Sequence, residues 1–365
     1  MKKIWSICFI LGLSLCGAWA QRNKNKEQAE TPPPEVVKPA PTASDSLGKV
    51  RKPLTPEELA RQKVFYNMEE ALIAPDSVYL MDFPQFCCSE LPKDMEKLIH
   101  LQSLFMGSSG LVVLDARVGS FQNLQILDLK YNNLEDLPSA LASLKNLKSL
   151  NLQKNRFRKI PAVIGLLPSL EELDLSLNLG LMKEGTLPAE IAQLQNLRSL
   201  NLEGNMLITL PEAMAQMSNL EKLNLNVNRL KQVPPLVLNL KALKALELKQ
   251  NGIVSLPDAL SSLARLEVLN LQRNALKVLP ASFGLLKNLK MLNLAQNQLT
   301  EVPASILNMT NLEILDLSEN QLTQLPGGLN QLKNLRELRL EGNRFSAEEI
   351  NRIKNQLGFI ANISF

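Results

Sequence analysis

The sequence predicts an α/β fold in which a curved solenoid carries a parallel sheet on its concave side. The first observation behind this prediction is a repeat, because from residue 78 onward the chain matches itself at a period of 23 residues. The second is that leucines at the fourth and sixth positions of each repeat alternate with polar residues. The third is an asparagine that recurs with eight intervals of 23 residues and one of 27, at Asn132, Asn155, Asn178, Asn205, Asn228, Asn251, Asn274, Asn297, Asn320 and Asn343.

Each part of the repeat has a physical reason. The alternating leucines predict one short strand per repeat, with its leucines buried and its polar residues outside. The asparagine amide carries both donors and acceptors, so stacked asparagines can bond the backbone groups of buried turns. The Leu-Pro step that follows, as at Leu137 and Pro138, sends the chain across the convex side, whose wider packing bends the stack into an arc.

These motifs resemble the leucine-rich-repeat family, in the 23-residue subtype that carries Leu-Pro, as in Ras-suppressor-like and bacterial exported repeat proteins. The resemblance covers residues 78–345. Two degenerate repeats at its start, at 78–92 and 101–109, bring the expected number to about twelve. The resemblance implies a concave face that binds proteins.

The first twenty residues, 1–20, predict an export signal. A basic start at Lys2 precedes an apolar run at 4–15, and small residues end the segment at Ala20. An uncleaved membrane anchor and a lipid anchor on Cys16 are the alternatives, although the run is short for a bilayer span. Cleavage would leave no stable membrane span and would place the protein in the periplasm, at the cell surface or in the medium. A segment that does not act as a signal would leave the protein in the cytoplasm.

A linker and two caps flank the repeats. Residues 21–54 are rich in proline and poor in large apolar side chains, which predicts a disordered tether. Residues 55–77 predict a helical N-terminal cap, because Thr55 opens a capping box ahead of apolar residues at helical spacing. Residues 346–365 predict a C-terminal cap whose helix ends near Gly358 and is followed by apolar closure.

The charge distribution argues against nucleic acid as a partner. The net charge is +4, but Lys2 and Lys3 contribute two positive charges, and residues 21–54 hold seven basic and four acidic side chains. The remaining chain therefore has a net charge of −1, whereas nucleic-acid binding needs a concentrated basic face. Beyond the leader, Cys87 and Cys88 are adjacent, and we interpret both as structural thiols.

The sequence predicts no enzyme, cofactor or metal site. The single histidine, His100, occupies a slot that other repeats fill with asparagine, and we interpret it as a turn residue. Asp128 and Asp174 hold outward positions two strands apart, about 10 Å, near the spacing of an inverting carboxylate pair. Since aspartate or asparagine recurs at this position and we expect the surface to be open to water, nothing is expected to raise the pKa of these acids.

Two groups of side chains are candidates for partner contact on the concave face. An apolar row holds one outward strand position in four consecutive repeats, at Ala245, Val268, Met291 and Ile314. Aromatic residues gather near the N-terminal end of the same face, at Tyr79, Phe105 and Tyr131. Contact with a partner would explain both groups. Half-burial of ordinary strand residues would also explain the row, and packing of the cap would also explain the aromatics.

A four-residue insertion at 179–185 predicts a loop, either a tolerated insertion or a contact loop. The leading hypothesis is an exported, non-catalytic scaffold that binds a protein partner mainly on its concave face. The alternative is an intracellular signalling adaptor of the Ras-suppressor type, which requires that the first residues do not act as a signal. A targeting subunit of an enzyme complex is the third hypothesis, because no catalytic constellation is visible.

Overall fold

The computed structural model describes residues 53–83, 89–178, 187–360 and 362–365. The signal segment, nearly all of the linker, Cys87, Cys88 and the insertion loop lie outside these residues. The described chain forms one open, fourteen-stranded parallel sheet in which the strands follow one another in sequence order. This arrangement confirms the predicted curved solenoid with a parallel sheet.

The strands are stacked in strict register. They are β1 (Val64–Phe65), β2 (Leu80–Asp82), β3 (Ser103–Phe105), β4 (Ile126–Asp128), β5 (Ser149–Asn151), β6 (Glu172–Asp174), β7 (Ser199–Asn201), β8 (Lys222–Asn224), β9 (Ala245–Glu247), β10 (Val268–Asn270), β11 (Met291–Asn293), β12 (Ile314–Asp316), β13 (Glu337–Arg339) and β14 (Asn362–Ser364). The central leucine of one strand pairs with that of the next, as at Leu127 and Leu150. The repeat period therefore becomes a column of leucines about 4.8 Å apart. Twelve strands, β2 to β13, come from the twelve expected repeats.

Short 3-10 helices form the convex side. They lie at Pro75–Ser77, Met95–Lys97, Ala116–Ser120, Ser139–Ser143, Ala162–Leu166, Ala189–Gln193, Glu212–Gln216, Pro235–Asn239, Asp258–Ser262, Ala281–Leu285, Ala304–Asn308 and Leu329–Gln331. The proline of the Leu-Pro step stands directly before most of these helices, as Pro138 does with a φ of −69°. Proline suits this place because its fixed φ matches the extended entry and no ladder bond needs its missing N–H. One continuous core between the two sides runs from Phe65 to Ile360.

The N-terminal cap combines helices with a strand. α1 (Pro56–Leu59) begins with the predicted capping box between Thr55 and Glu58, and α2 (Met68–Ala71) begins after Asn67. β1 lies between these two helices and pairs with β2. The sequence did not predict this strand. A two-residue strand leaves no periodic pattern, yet it hydrogen-bonds the edge of β2 that would otherwise be open.

The C-terminal cap also contains a strand that was not predicted. α3 (Ala347–Gln356) begins at the predicted cap residue Ser346, whose side chain accepts the N–H of Glu349. β14 then pairs in parallel with β13, where the sequence predicted only apolar closure. Of its three residues, only Ile363 packs against the core, so the segment carries little hydrophobic signal.

The asparagines form the predicted ladder. In the fully buried Asn205, Oδ1 accepts the backbone N–H of Asn178 at 2.8 Å. Its Nδ2 donates to the carbonyl oxygens of Leu175 at 3.0 Å and Leu202 at 3.1 Å. Each amide therefore joins its own turn to the turn of the preceding repeat, and it satisfies backbone groups that water cannot reach.

The convex helices approach one another very closely at Gly284. This residue is buried, and a Cβ built on it would lie 2.0 Å from the carbonyl oxygen of Ser305 in the next helix. Only a residue without a side chain fits this contact, because the atom opposite belongs to the backbone and cannot rotate away.

Candidate partner-binding surface

The strands present two rows of side chains on the concave face. The first outward row consists of Leu80, Ser103, Ile126, Ser149, Glu172, Ser199, Lys222, Ala245, Val268, Met291, Ile314 and Glu337. The second outward row consists of Asp82, Phe105, Asp128, Asn151, Asp174, Asn201, Asn224, Glu247, Asn270, Asn293, Asp316 and Arg339.

Most residues of the second outward row cap their own strand. In eight repeats an aspartate or asparagine oxygen accepts the backbone N–H two residues further on. Asp174 is typical, because its Oδ1 accepts both the N–H and the hydroxyl of Ser176, at 2.8 and 2.6 Å. This local bond explains why these side chains recur. Phe105 occupies a position in this row where such a cap is the rule.

The expectation that these acids are open to water and unshifted is wrong for Asp174. The residue is 8% exposed. Burial raises its pKa, and the neighbouring charge of Asp128 adds to the shift, while hydrogen bonds from Ser176 and Asn201 oppose it. Asp128 is also buried, and its carboxylate pairs with Lys130 at 2.8 Å. The repeat pattern alone does not reveal that these two side chains are buried.

His100 lies in a turn, as predicted. In other repeats the asparagine of this slot donates to a carbonyl oxygen of the preceding repeat, as Asn219 does to Gln195 at 2.9 Å. The ring of His100 is buried and stacks on Tyr79 with 6.2 Å between ring centroids. Among the residues that the structure describes, no three of histidine, cysteine, aspartate and glutamate are grouped as a metal site would require.

Glu172 is the one acid in the middle of the first outward row. Burial raises its pKa to about 7, although a hydrogen bond from Ser149 and the charge of Lys222 oppose the shift. An acid whose pKa is raised in the folded chain keeps its proton there after the unfolded chain has lost it. The free energy of unfolding therefore falls as the pH rises from about 4.5 to about 7.

We expect Glu172→Gln to stabilise the protein above pH 7. The amide keeps the bond with Ser149 and removes the buried charge, so the gain at pH 8 should be about 2 kcal/mol after allowance for partial exposure. At pH 4 the two proteins should be equally stable, because the carboxyl is protonated in both states. Urea unfolding followed by circular dichroism at both pH values measures the difference.

Glu337→Gln is the matched control, because it changes the same strand position in another repeat. There the carboxylate pairs with the exposed Arg339, so the substitution should remove a weak pair and lower stability by less than about 1 kcal/mol. A Glu172→Gln protein that is no more stable at pH 8 than the unaltered chain would contradict the raised pKa.

The predicted apolar row is present as one continuous strip. β9 to β12 pair so that Ala245, Val268, Met291 and Ile314 lie side by side in the first outward row. Met291 is 40% exposed, and the other three are half-buried. At the spacing of neighbouring strands, the strip is about 14 Å long and one side chain wide.

The predicted aromatic group does not form a single cluster. Tyr79 lies beside β2 against His100, and Phe105 is half-buried in the second outward row. Tyr131 lies in the turn after β4, exposed, with the ammonium of Lys154 5.1 Å from its ring centroid. Its φ of 56° is the left-handed conformation that several residues preceding the ladder asparagines share. The three side chains therefore span the width of the sheet.

A row of alternating charges borders the first outward row, one residue earlier in each repeat. We call it the charge ladder, and it consists of Lys148, Glu171, Arg198, Glu221, Lys244, Glu267, Lys290, Glu313 and Arg336. Ion pairs join neighbouring repeats, as between Glu221 and both Lys244, at 2.7 Å, and Arg198, at 3.0 Å. These two cations hold the pKa of Glu221 below its ordinary value. The ladder was not among the predicted features, although its alternation of sign is visible in the sequence once the repeats are aligned.

The family follows from comparison with known sequences and structures. The family model described as a leucine-rich repeat region matches residues 80–178 and 235–364, more than half of the chain, and a single leucine-rich repeat matches residues 196–217. This chain belongs to the leucine-rich-repeat family. A leucine-rich-repeat protein of Leptospira interrogans is 30% identical, and the match covers 83% of this chain and 100% of that protein, with a TM-score of 0.52.

Further leucine-rich-repeat structures share the fold. An internalin of Listeria monocytogenes is 22% identical over 86% of this chain and 89% of that one, with a TM-score of 0.64. A plant peptide hormone receptor is 27% identical over 76% of this chain and 50% of that one, with a TM-score of 0.60. No curated protein matches the sequence. Within the described part of this leucine-rich-repeat chain, no helix is long and apolar enough to span a bilayer.

Proposed function

We propose that this leucine-rich-repeat protein is a non-catalytic scaffold that binds a protein partner on its concave face. The observation that carries the proposal is the apolar strip from Ala245 to Ile314. A continuous row of apolar side chains at a partly exposed strand position is a surface that a protein partner can cover. The four charge-ladder residues beside the strip, Lys244, Glu267, Lys290 and Glu313, carry two positive and two negative charges, so this border of the strip has no net charge.

One further feature supports the absence of catalysis. The carboxylates at Asp128 and Asp174 already bond to their own turns and to neighbouring side chains, which leaves them poorly placed to exchange protons with a substrate. The repeats also fit the 23-residue subtype with Leu-Pro, because proline directly precedes most of the convex helices, from Ser139–Ser143 to Ala304–Asn308. We assign the chain to that subtype.

Met291→Glu combined with Ile314→Glu should leave the fold intact and weaken partner binding at least tenfold. Met291 is exposed and Ile314 is half-buried, so the new carboxylates can still reach water in the free protein. In a complex they would be buried without partners, which costs several kcal/mol. Retention of native partners by the immobilised protein, quantified by mass spectrometry, measures the effect.

The matched control places the same charges on the convex side. Leu166 and Leu285 are exposed leucines there, at 56% and 57%, and Leu166→Glu combined with Leu285→Glu should leave partner retention unchanged. Equal loss in both double variants would point to a general effect of charge and would remove the strip from consideration.

We further propose that the protein is exported and acts in the periplasm, at the cell surface or in the medium. The leader pattern of residues 1–20 supports this. So does the resemblance to an internalin and to the leucine-rich-repeat ectodomain of a plant membrane receptor kinase. Cell fractionation with intact-mass measurement should find a species that begins at Gln21 outside the cytoplasm. A full-length species in the cytosol would overturn export and leave the binding proposal standing.

A further inference from the structure

The chain just before α1 lies against the start of the repeats, and we call residues 53–55 the strap. The backbone N–H of Leu54 donates to Gln102 Oε1 at 3.0 Å, and its carbonyl oxygen accepts from Gln125 Nε2 at 3.2 Å. Gln125 Nε2 also donates to Gln102 Oε1 at 3.0 Å. Two side chains from adjacent repeats thus bind both backbone groups of a single residue.

This geometry is that of extended-chain recognition. In an extended segment the N–H and C=O of one residue point to the same side, which is why paired strands exchange both bonds at one residue. Gln102 and Gln125 reproduce that pair of bonds with side-chain amides. These bonds involve only the backbone of Leu54 and do not select its side chain. Another extended segment can therefore make the same bonds, provided that it has no proline at this position.

Burial sets these two glutamines apart from the rest of their row. Gln102 is 1% exposed and Gln125 is 8% exposed, whereas the next basic residues in the same row, Lys148 and Arg198, are exposed. Gln102 and Gln125 occupy the same repeat position as the charge ladder, in the two repeats before it begins. They are the only uncharged residues at this position in the described repeats from β3 to β13. A buried amide needs hydrogen-bond partners, and the strap supplies them.

The site has unused polar and aromatic groups. Ser103 follows Gln102 in β3 and is fully buried, and within the described residues its hydroxyl oxygen has no hydrogen-bond partner. Phe105, two residues further on, holds a position where the fold otherwise favours a capping aspartate or asparagine. A residue that departs from the sequence preference of its position, with no gain in stability, is often a functional residue. The two glutamines therefore hold the peptide backbone beside β3, which adds a hydroxyl group and an aromatic ring.

The strap itself is held lightly. Leu54 is half-buried, α1 has four residues, and the capping bonds at Thr55 are exposed. Two amide bonds of this kind contribute little net stability, so the strap can open without disturbing the repeats.

We propose that Gln102 and Gln125 form a binding site for the backbone of an extended polypeptide, which the strap fills in cis until a partner segment displaces it. The proposal rests on the proposed binding function and names the class of partner, an extended peptide. Because the strap is already such a segment, its own sequence is the probe, and the unidentified partner is not needed for the test.

The experiment uses the full chain, a variant with Leu54→Pro, and a fluorescent synthetic peptide with the sequence of residues 48–58. Proline removes the N–H that Gln102 accepts, so it opens the strap in cis. The peptide should bind the Leu54→Pro chain about tenfold more tightly than the unaltered chain, whose tethered strap competes at high effective concentration. A peptide that carries proline in place of leucine should bind about tenfold more weakly.

Further variants of the Leu54→Pro chain locate the site. Gln102→Ala with Gln125→Ala should weaken peptide binding about tenfold, whereas the control Lys148→Ala, at the next position of the row, should leave it unchanged. Met291→Glu with Ile314→Glu should also leave it unchanged. Absence of peptide binding to the Leu54→Pro chain, or equal binding to the chain with both alanines, overturns the strap site. Neither outcome affects the test of the apolar strip.

Discussion

Asn205→Ala should lower the free energy of unfolding by about 3–5 kcal/mol. The substitution leaves the N–H of Asn178 without its partner. It also removes one of the two bonds that each carbonyl oxygen of Leu175 and Leu202 accepts, since Asn178 and Asn228 still donate to them. A buried group left unsatisfied costs about 1–3 kcal/mol, and each further bond lost costs about 0.5–1.5 kcal/mol. Asn205 is fully buried, so water cannot take over these bonds. Urea unfolding followed by circular dichroism measures the loss.

Asn219→Ala is the matched control in the same part of the array. Its Nδ2 donates to the carbonyl oxygen of Gln195 at 2.9 Å, also between neighbouring repeats, but the side chain is exposed. Water replaces a bond of this kind, so the loss should stay below about 1 kcal/mol. Similar losses at Asn205 and Asn219 would show that the buried ladder contributes no more than an ordinary surface bond.

Gly284→Ala should lower the free energy of unfolding by about 3 kcal/mol, because the methyl group would overlap the carbonyl oxygen of Ser305. Relief of the overlap requires the convex helices Ala281–Leu285 and Ala304–Asn308 to move apart, and overpacking of this kind typically costs 1–3 kcal/mol or more. Urea unfolding followed by circular dichroism measures this loss of stability. Small-angle scattering should also detect a change in curvature if the helices separate in the folded state.

Gly327→Ala provides the control for the effect of a methyl group at a convex glycine. A Cβ there meets nothing within 4 Å, so the substitution should be neutral or should stabilise the protein by a few tenths of a kcal/mol through the unfolded chain. If Gly284→Ala proves as harmless as Gly327→Ala, the close approach of the helices is not a constraint on the fold.

The sequence predicted the repeats well because their physics is local and periodic. Leucines such as Leu127 and Leu150 recur at a fixed distance, and each such recurrence specifies one strand and its neighbour. The asparagine ladder followed from the same spacing and from the chemistry of the amide. The apolar strip could be predicted as well, since outward positions are defined once the strands are aligned.

Features that depend on contacts outside the repeat could not be predicted. The strap joins Leu54 to Gln125 across 71 positions of sequence, and no periodicity links the two. The raised pKa of Glu172 arises from burial, which the strand position alone does not specify, since the other glutamate at the same position, Glu337, pairs with the exposed Arg339. β1 is two residues long, so it has no pattern of its own, and it forms because β2 offers an edge to pair with.

The charge ladder constrains how the array can change in length. Opposite signs alternate along it, so removal of the single repeat that carries Arg198 would bring Glu171 beside Glu221 and replace attraction with repulsion. Removal of two consecutive repeats would keep the alternation. Likewise, duplication of one repeat would place like charges side by side, whereas duplication of two would not. Addition or removal of repeats in pairs therefore keeps opposite charges adjacent along the ladder, which makes a unit of two repeats the module to use when the array is re-engineered.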